Sequence, residues 1–335
     1  MTASRVLRGT GNVAPSRREA VETAVAELGY RSNPMAQALR NSTAPSKLVG
    51  FIVDDIKDPF FSHLARAVED ALSSSGAMLL LSSSDADSGR AADLVHGLVR
   101  RNVDALVIAP PPGEQSYLAE ASRLGKPTLC VDRPAASSTV PAVLSDNTGG
   151  ARAAVDHLVE HGHRRIAFIG DDLGYTMQCR LHGYEQALSA HGIGVRPELE
   201  RLDAYTASNV PEIVRQLLAL PDPPTALFTA RNVTSLGALI GLHEMGVHEQ
   251  VAQIGFDDVD FSTIVEPALT VVAQQLDDIG RRIAEQVLQE VDGMQPREGV
   301  TTVPVTVVER GSGELAGPFG AGRRKCSGLA ADDRA

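Results

Sequence analysis

The chain of 335 residues is about twice the ~150 residues of an average domain, so two packed units with an appendage are expected. Its 43% hydrophobic and 22% charged residues are ordinary globular composition, which excludes a largely disordered or collagen-like chain. The formal net charge of −11 conceals a basic start, where Arg5, Arg8, Arg17, Arg18, Arg31, Arg40 and Lys47 outnumber Glu19, Glu22 and Glu27, ahead of an acidic body that would repel a polyanion.

Within the first 47 residues, Ser16 and Glu19 have the spacing of a capping box, and Ala20, Val21, Ala24, Val25 and Leu28 supply an apolar stripe ending at Gly29. This predicts one helix of about 13 residues. On charge alone it fits a solvated helix with spare arginines as well as a polyanion contact. Asn33 as N-cap and Pro34 at the first helical position predict a second helix through Leu39. It falls short of the ~12–15 residues an isolated helix needs in water, so it should order only on contact.

From residue 47 the runs LVGFIV (48–53), AMLLL (77–81), DALVIA (104–109) and TLCV (128–131) are short, apolar and rich in branched residues. Phe60, Phe61, Leu64, Ala65, Val68 and Leu72 recur between the first two at helical spacing. Continuous rather than alternating apolar strands predict a parallel sheet covered on both faces. RIAFI (165–169), TALFT (225–229) and VAQIGF (251–256), separated by helical patterns at 178–191, 208–220 and 231–243, predict a second such unit. The fold class is therefore α/β, with two doubly wound parallel-sheet lobes preceded by a partial all-α head. A helix at 276–292 and the run at 300–309 should cross between the lobes. From Gly311 onward periodicity is absent, which predicts a disordered tail over 311–335.

In doubly wound sheets ligands bind beyond the carboxyl ends of the strands. Asp58, Phe60 and Phe61 follow the first strand, Asp132 follows TLCV, Arg180 begins the helix after RIAFI, Arg231 and Asn232 follow TALFT, and Asp257 follows VAQIGF. Carboxylates accept from hydroxyls, a guanidinium grips two oxygens at once, and aromatic faces cover the apolar side of a ring. Phe60 and Phe61 suit core packing equally, and Asp257 could simply cap the next segment. His157, His161 and His163 fit local packing better than a metal site, and Cys179 fits a small buried residue of the cleft better than a redox thiol. No cofactor or metal is expected. Cys130, Cys179 and Cys326 are odd in number and show no CxxC spacing, so they suggest neither a disulfide framework nor a zinc cluster. No GxSxG elbow or phosphate-binding GxxxxGK[ST] loop is present, and GTGNVA (9–14) lacks the last glycine and the preceding strand of a dinucleotide site. An enzyme is not expected. No run approaches the ~18 apolar residues of a membrane span and no apolar signal core follows the first charges, so a cytoplasmic location is expected.

TASRVLRG (2–9), ELGYRSNPMAQALR (27–40), DPFF (58–61), SDNTGGARAAVDHLVEHGHRRIAFIG (145–170), RLHGYEQAL (180–188), ALFTARNVTSLGAL (226–239) and IGFDDVDFS (254–262), in this order and spacing, resemble the LacI/GalR family of transcriptional repressors. The resemblance covers positions 2 to about 310. It implies a helix-turn-helix head (1–31), a hinge helix and linker (32–46), and a periplasmic-binding-protein-like core (47–310). Lobe one would comprise about 47–145 plus 276–297, and lobe two about 146–275 plus 300–310. It further implies a homodimer on double-stranded operator DNA. Thr2, Ser4, Arg5 and Arg8 would lie in the recognition helix, with Asn33, Ala36 and Leu39 in the hinge that enters the minor groove. Family members carry about 15–20 further residues before this point, so the head as written is not expected to read a specific site, and its residual DNA binding should be weak and insensitive to sequence. Ser32 and Gln37 replace a proline and an arginine common in the hinge.

By the same resemblance Arg180 and Asp257 anchor a small-molecule effector, a sugar or sugar derivative. Asp132 and Thr176 add polar contacts, Phe60, Phe61 and Tyr205 line or close the cleft, and Arg231 and Asn232 face it. Arg231 stands where many relatives have asparagine, which makes an acidic or phosphorylated sugar conceivable. The implied function is a ligand-responsive repressor of sugar or other catabolic genes. The alternative is a cytoplasmic solute-binding or sensor protein that has lost specific DNA binding.

Overall fold

The computed structural model describes residues 2–7, 12–29, 46–136, 140–171, 174–294 and 298–319. In the head, α1 (Thr2–Leu7) packs against α2 (Pro15–Glu27), and Val6 is buried there. The expected capping box is not formed. Ala14 is the N-cap, without a side-chain hydrogen bond, and Pro15 takes the first helical position, which places Ser16 inside the helix. Proline's fixed φ and missing N–H suit that position. None of the apolar stripe of α2 is buried, and Leu28 is exposed.

Lobe one contains β1 (Leu48–Val53), α3 (Pro59–Ser73), β2 (Met78–Ser83), α4 (Ser88–Arg100), β3 (Ala105–Ile108), α5 (Ser116–Arg123), β4 (Thr128–Val131) and β5 (Ala142–Ser145). The chain crosses into lobe two through α6 (Asn147–Glu160), β6 (Ile166–Ile169), α7 (Tyr175–Ala190), β7 (Glu200–Arg201), α8 (Val210–Leu218), β8 (Ala226–Thr229), α9 (Asn232–Glu244), β9 (Ala252–Phe256) and β10 (Thr270–Gln274). It then returns to lobe one with α10 (Leu276–Val291) and β11 (Val300–Val303), and ends in lobe two with β12 (Val305–Val308).

The sheets have matching orders, β11-β5-β4-β3-β1-β2 and β12-β10-β9-β8-β6-β7. The pairings are parallel except for β12, which runs antiparallel to β10. Burial on both faces explains the continuous apolar runs. In lobe one α3 and α10 cover one face and α4 and α5 the other; in lobe two α6 and α7 lie opposite α8 and α9. Gly280 lets α10 sit directly on α3, because a Cβ there would fall 2.7 Å from the Ala67 carbonyl carbon.

Two boundaries differ from expectation. Val300–Val303 belongs to lobe one, paired in register with Ala142–Ser145, and only the residues after Pro304 join lobe two. Proline has no N–H for a ladder, so the run breaks there and changes sheets. The expected disorder from Gly311 is also corrected, because residues 311–319 pack on lobe two. Ser312 Oγ donates to the Gln253 carbonyl at 2.6 Å, Thr270 Oγ1 donates to Glu314 at 2.9 Å, and Gly317 N–H donates to the His161 carbonyl at 2.9 Å. Single polar contacts of this kind leave no periodicity to read. The rest of the expected tail lies outside the described residues.

Candidate functional site

The carboxyl ends of both sheets face one cavity of about 600 Å³. On the lobe-one side, Asp58 caps α3 by accepting the Phe60 N–H at 3.0 Å. Phe60 and Phe61 meet edge to face, with ring centroids 5.0 Å apart. Both line the cavity and both belong to the lobe-one core, so the two alternatives for them hold together.

Asp132 follows β4 and Asp257 follows β9, which are equivalent positions in the two sheets, and both have left-handed backbones with φ 68° and φ 77°. Such a conformation costs a non-glycine residue about 1–3 kcal/mol and is retained where the surroundings demand it. Burial pushes the Asp132 carboxyl up to about 6, against the pull of Arg133 and Arg180. Burial also raises Asp58, opposed by its hydrogen bond from Asn232 and reinforced by the charge of Asp257.

Arg180 on α7 is 4% exposed. Its Nε donates to Asn147 Oδ1 at 2.8 Å and its Nη1 to the Ala230 carbonyl at 2.6 Å, while the guanidinium lies 3.6 Å from the centroid of the Phe256 ring. These contacts hold a cation where burial lowers its pKa, and Asp257 and Asp132 counter that effect. Asp257 accepts from Gln274 Nε2 at 2.6 Å and from the Asn232 N–H at 3.3 Å.

Arg231 is not a spare positive charge. Its Nη1 is 2.6 Å from Asp171, and its Nη2 reaches to 3.9 Å from Asp58 across the cleft. Asn232 lies behind the lining, buried, and its Nδ2 donates to Asp58 Oδ1 at 2.7 Å, a direct link from lobe two to lobe one. Thr176, in the first turn of α7, lines the cavity half-buried. Tyr205 is exposed on the loop after β7, outside the lining.

Sequence reasoning did not single out Asp54, Arg133, Asp171 or Gln274, which also line the cavity. Asp54 and Asp171 could have been found by the strand-end rule, since they stand one and two residues beyond β1 and β6. Arg133 pairs with Asp54 and donates through Nε to the Pro110 carbonyl at 2.8 Å. Gln274 ends β10, a strand the apolar runs did not reveal.

The three histidines are engaged locally. His157 Nε2 lies 2.7 Å from Glu314, His161 Nδ1 2.9 Å from the His157 carbonyl, and His163 bridges Thr225 Oγ1 at 2.9 Å and the Leu315 carbonyl at 2.8 Å. Among the described residues no group of histidine, cysteine and acidic side chains is arranged to hold a metal ion. Cys179 is half-buried and lies outside the cavity lining. In the head, Arg5 is exposed on α1, and Thr2 and Ser4 lie on the same helix. Arg8, Asn33, Ala36 and Leu39 fall outside the described residues. No helix among those described is long and apolar enough to cross a membrane.

Residues 155–313 match the periplasmic binding protein-like domain, and residues 1–33 match the bacterial regulatory proteins of the lacI family. The HTH-type transcriptional repressor CytR of Escherichia coli is 31% identical over 93% of this chain and 92% of its own. The structure of the lac repressor dimer bound to operator and the anti-inducer ONPF superposes with a TM-score of 0.83 at 28% identity, covering 94% of this chain and 95% of that one. A LacI family regulator of Enterococcus faecium with bound ribose gives 0.71 at 26% identity, over 81% and 99%. With an all-α head, two matching lobes, polar strand ends around one cavity and this likeness along nearly its whole length, the chain belongs to the LacI family of bacterial transcriptional regulators.

Proposed function

We propose that this regulator represses sugar-related or other catabolic genes in response to a small polyhydroxyl effector bound between its lobes. The observation that carries the reading is the meeting of Asp58 and Asp132 from lobe one with Arg180 and Asp257 from lobe two around the 600 Å³ cavity. Hydroxyls satisfy carboxylates as donors and a guanidinium as acceptors, so a polyol can pair with both lobes at once. Phe60 and Phe61 offer apolar surface to a sugar ring. The ribose-bound regulator and the CelR–cellobiose complex among the structural relatives support a sugar-type ligand.

The chain is a DNA-binding regulator rather than an enzyme, and it acts in the cytoplasm as a homodimer on operator DNA. The lobes are joined where β5 meets α6, where β10 meets α10 and at Pro304. Ligand contacts made on both sides of these connections favour a closed arrangement over an open one. A difference of a few kcal/mol between the two states is enough to change the fit of paired heads on DNA. The test is a thermal-shift screen of sugars and nucleosides, in which an effector at ~100 times its Kd adds about 2.7 kcal/mol of stability. Stabilisation of the wild type together with its loss in Arg180→Ala is the expected result. Equal stabilisation of a folded Arg180→Ala variant would remove this cavity as the effector site.

A further inference from the structure

The cavity holds more negative charge than its own cations balance. Asp54, Asp55, Asp58, Asp132, Asp171 and Asp257 line it against Arg133, Arg180 and Arg231. Asp85, a seventh lining carboxylate, is neutralised from outside by Arg90. Arg133 is taken by Asp54, with Asp132 only at 3.7 Å, and Arg231 is taken by Asp171, with Asp58 only at 3.9 Å. The three guanidiniums are thus shared among more carboxylates than they can neutralise: Arg133 also acts on Asp132 and Arg231 on Asp58, Arg180 serves Asp257, Asp132 and Asp58 together, and Asp55 has no ion pair among the described residues. Carboxylates enclosed on lobe closure lose water and need a countercharge. A neutral ligand can offer these carboxylates hydrogen bonds but no countercharge, and an anionic one would increase the deficit.

We propose, on the basis of the interlobe effector reading above, that the effector carries a protonated amine as well as hydroxyls, an amino sugar in the simplest case. Its ammonium is held by the carboxylates of Asp58, Asp132 and Asp257. Two of these stand at equivalent strand ends in left-handed backbone, one from each lobe, and the third is bound across the cleft by Asn232. An ammonium among them draws both lobes inward, so the group that decides specificity also favours closure. Arg231, which on sequence alone suggested an acidic ligand, is already satisfied by Asp171 and does not reverse the sign of the site.

The test compares aldoses with their 2-amino, N-acetylamino and uronic acid counterparts by calorimetry on the full chain. The N-acetyl derivative keeps the nitrogen and removes its charge. The expected result is that an amino sugar binds at least about ten-fold more tightly than its neutral parent and its N-acetyl form, as close charge pairs at binding sites allow. The preference should shrink as salt rises and disappear as pH rises and the amine deprotonates. In Asp58→Asn the ratio of amino-sugar to neutral-parent affinity should fall by about ten-fold, whatever affinity the variant keeps for the neutral parent. Tighter binding of neutral or acidic sugars, or an amine preference that ignores pH and salt, would overturn the proposal and leave a polyhydroxyl effector standing. Failure of every class to bind would overturn the effector reading itself.

Discussion

Replacing Asp132 by asparagine should make the protein more stable. Its carboxyl ionises at about 6 in the folded chain and near the ordinary value of 3.8 when unfolded, because burial at the end of β4 disfavours the charge. A folded pKa raised above the unfolded one means that the native state binds the proton more tightly. Stability is therefore highest in acid and is lost as pH rises from about 4 to about 6. At pH 7 the difference amounts to about 3 kcal/mol, at 1.36 kcal/mol for each pKa unit. Asparagine keeps the size and tolerates the left-handed backbone at φ 68°, so the substitution isolates the charge. Denaturant unfolding of wild type and Asp132→Asn at pH 4 and pH 7 should show the variant ahead by about 3 kcal/mol at pH 7 and by less than about 1 kcal/mol at pH 4. The same variant should lose effector affinity, the trade expected of a group kept for binding at the expense of the fold. A variant no more stable than wild type at pH 7, or a gain that does not vary with pH, would refute the reasoning.

Arg180→Ala should weaken effector binding by about 3–5 kcal/mol, measured by calorimetry, because the facing carboxylates lose their cation in an enclosed cleft. Gly280→Val should destabilise lobe one by about 1–3 kcal/mol or more in thermal unfolding, since its Cβ meets the Ala67 backbone where α10 sits on α3. Glu314→Ala should cost lobe two about 1–3 kcal/mol by leaving Thr270 and His157 without their acceptor; unchanged stability would show that residues 311–319 are not an integral part of the lobe.

The two-lobed core was legible because strands buried on both faces are written as apolar runs, and the strand-end rule then led to Asp132, Arg180, Arg231 and Asp257. What escaped has physical reasons. The strands β5 and β10 carry polar Ser145, Thr270 and Gln274 at their ends, which leaves only residues 142–144 and 271–273 as apolar stretches, so they do not stand out from loops. The change of lobe inside 300–308 depends on one proline within an otherwise uniform β-branched run. Residues 311–319 are held by isolated side chains such as Ser312 and Glu314, which carry no pattern. Arg231 presents a positive charge in the sequence, but only the fold brings Asp171 against it. The charge balance of the cleft is likewise a property of three-dimensional convergence, since its carboxylates come from strand ends far apart in the chain.

The central claim, that a ligand between the lobes governs DNA binding, is tested most directly by fluorescence anisotropy on a DNA site selected by the full-length protein. Wild type and Arg180→Ala are each titrated with and without the effector found in the binding screen. The account predicts that the effector changes the DNA affinity of the wild type by at least about ten-fold, the scale of typical coupling energies, and leaves that of a folded Arg180→Ala variant unaltered. An equal response in both proteins, or none in the wild type at saturating effector, would contradict it.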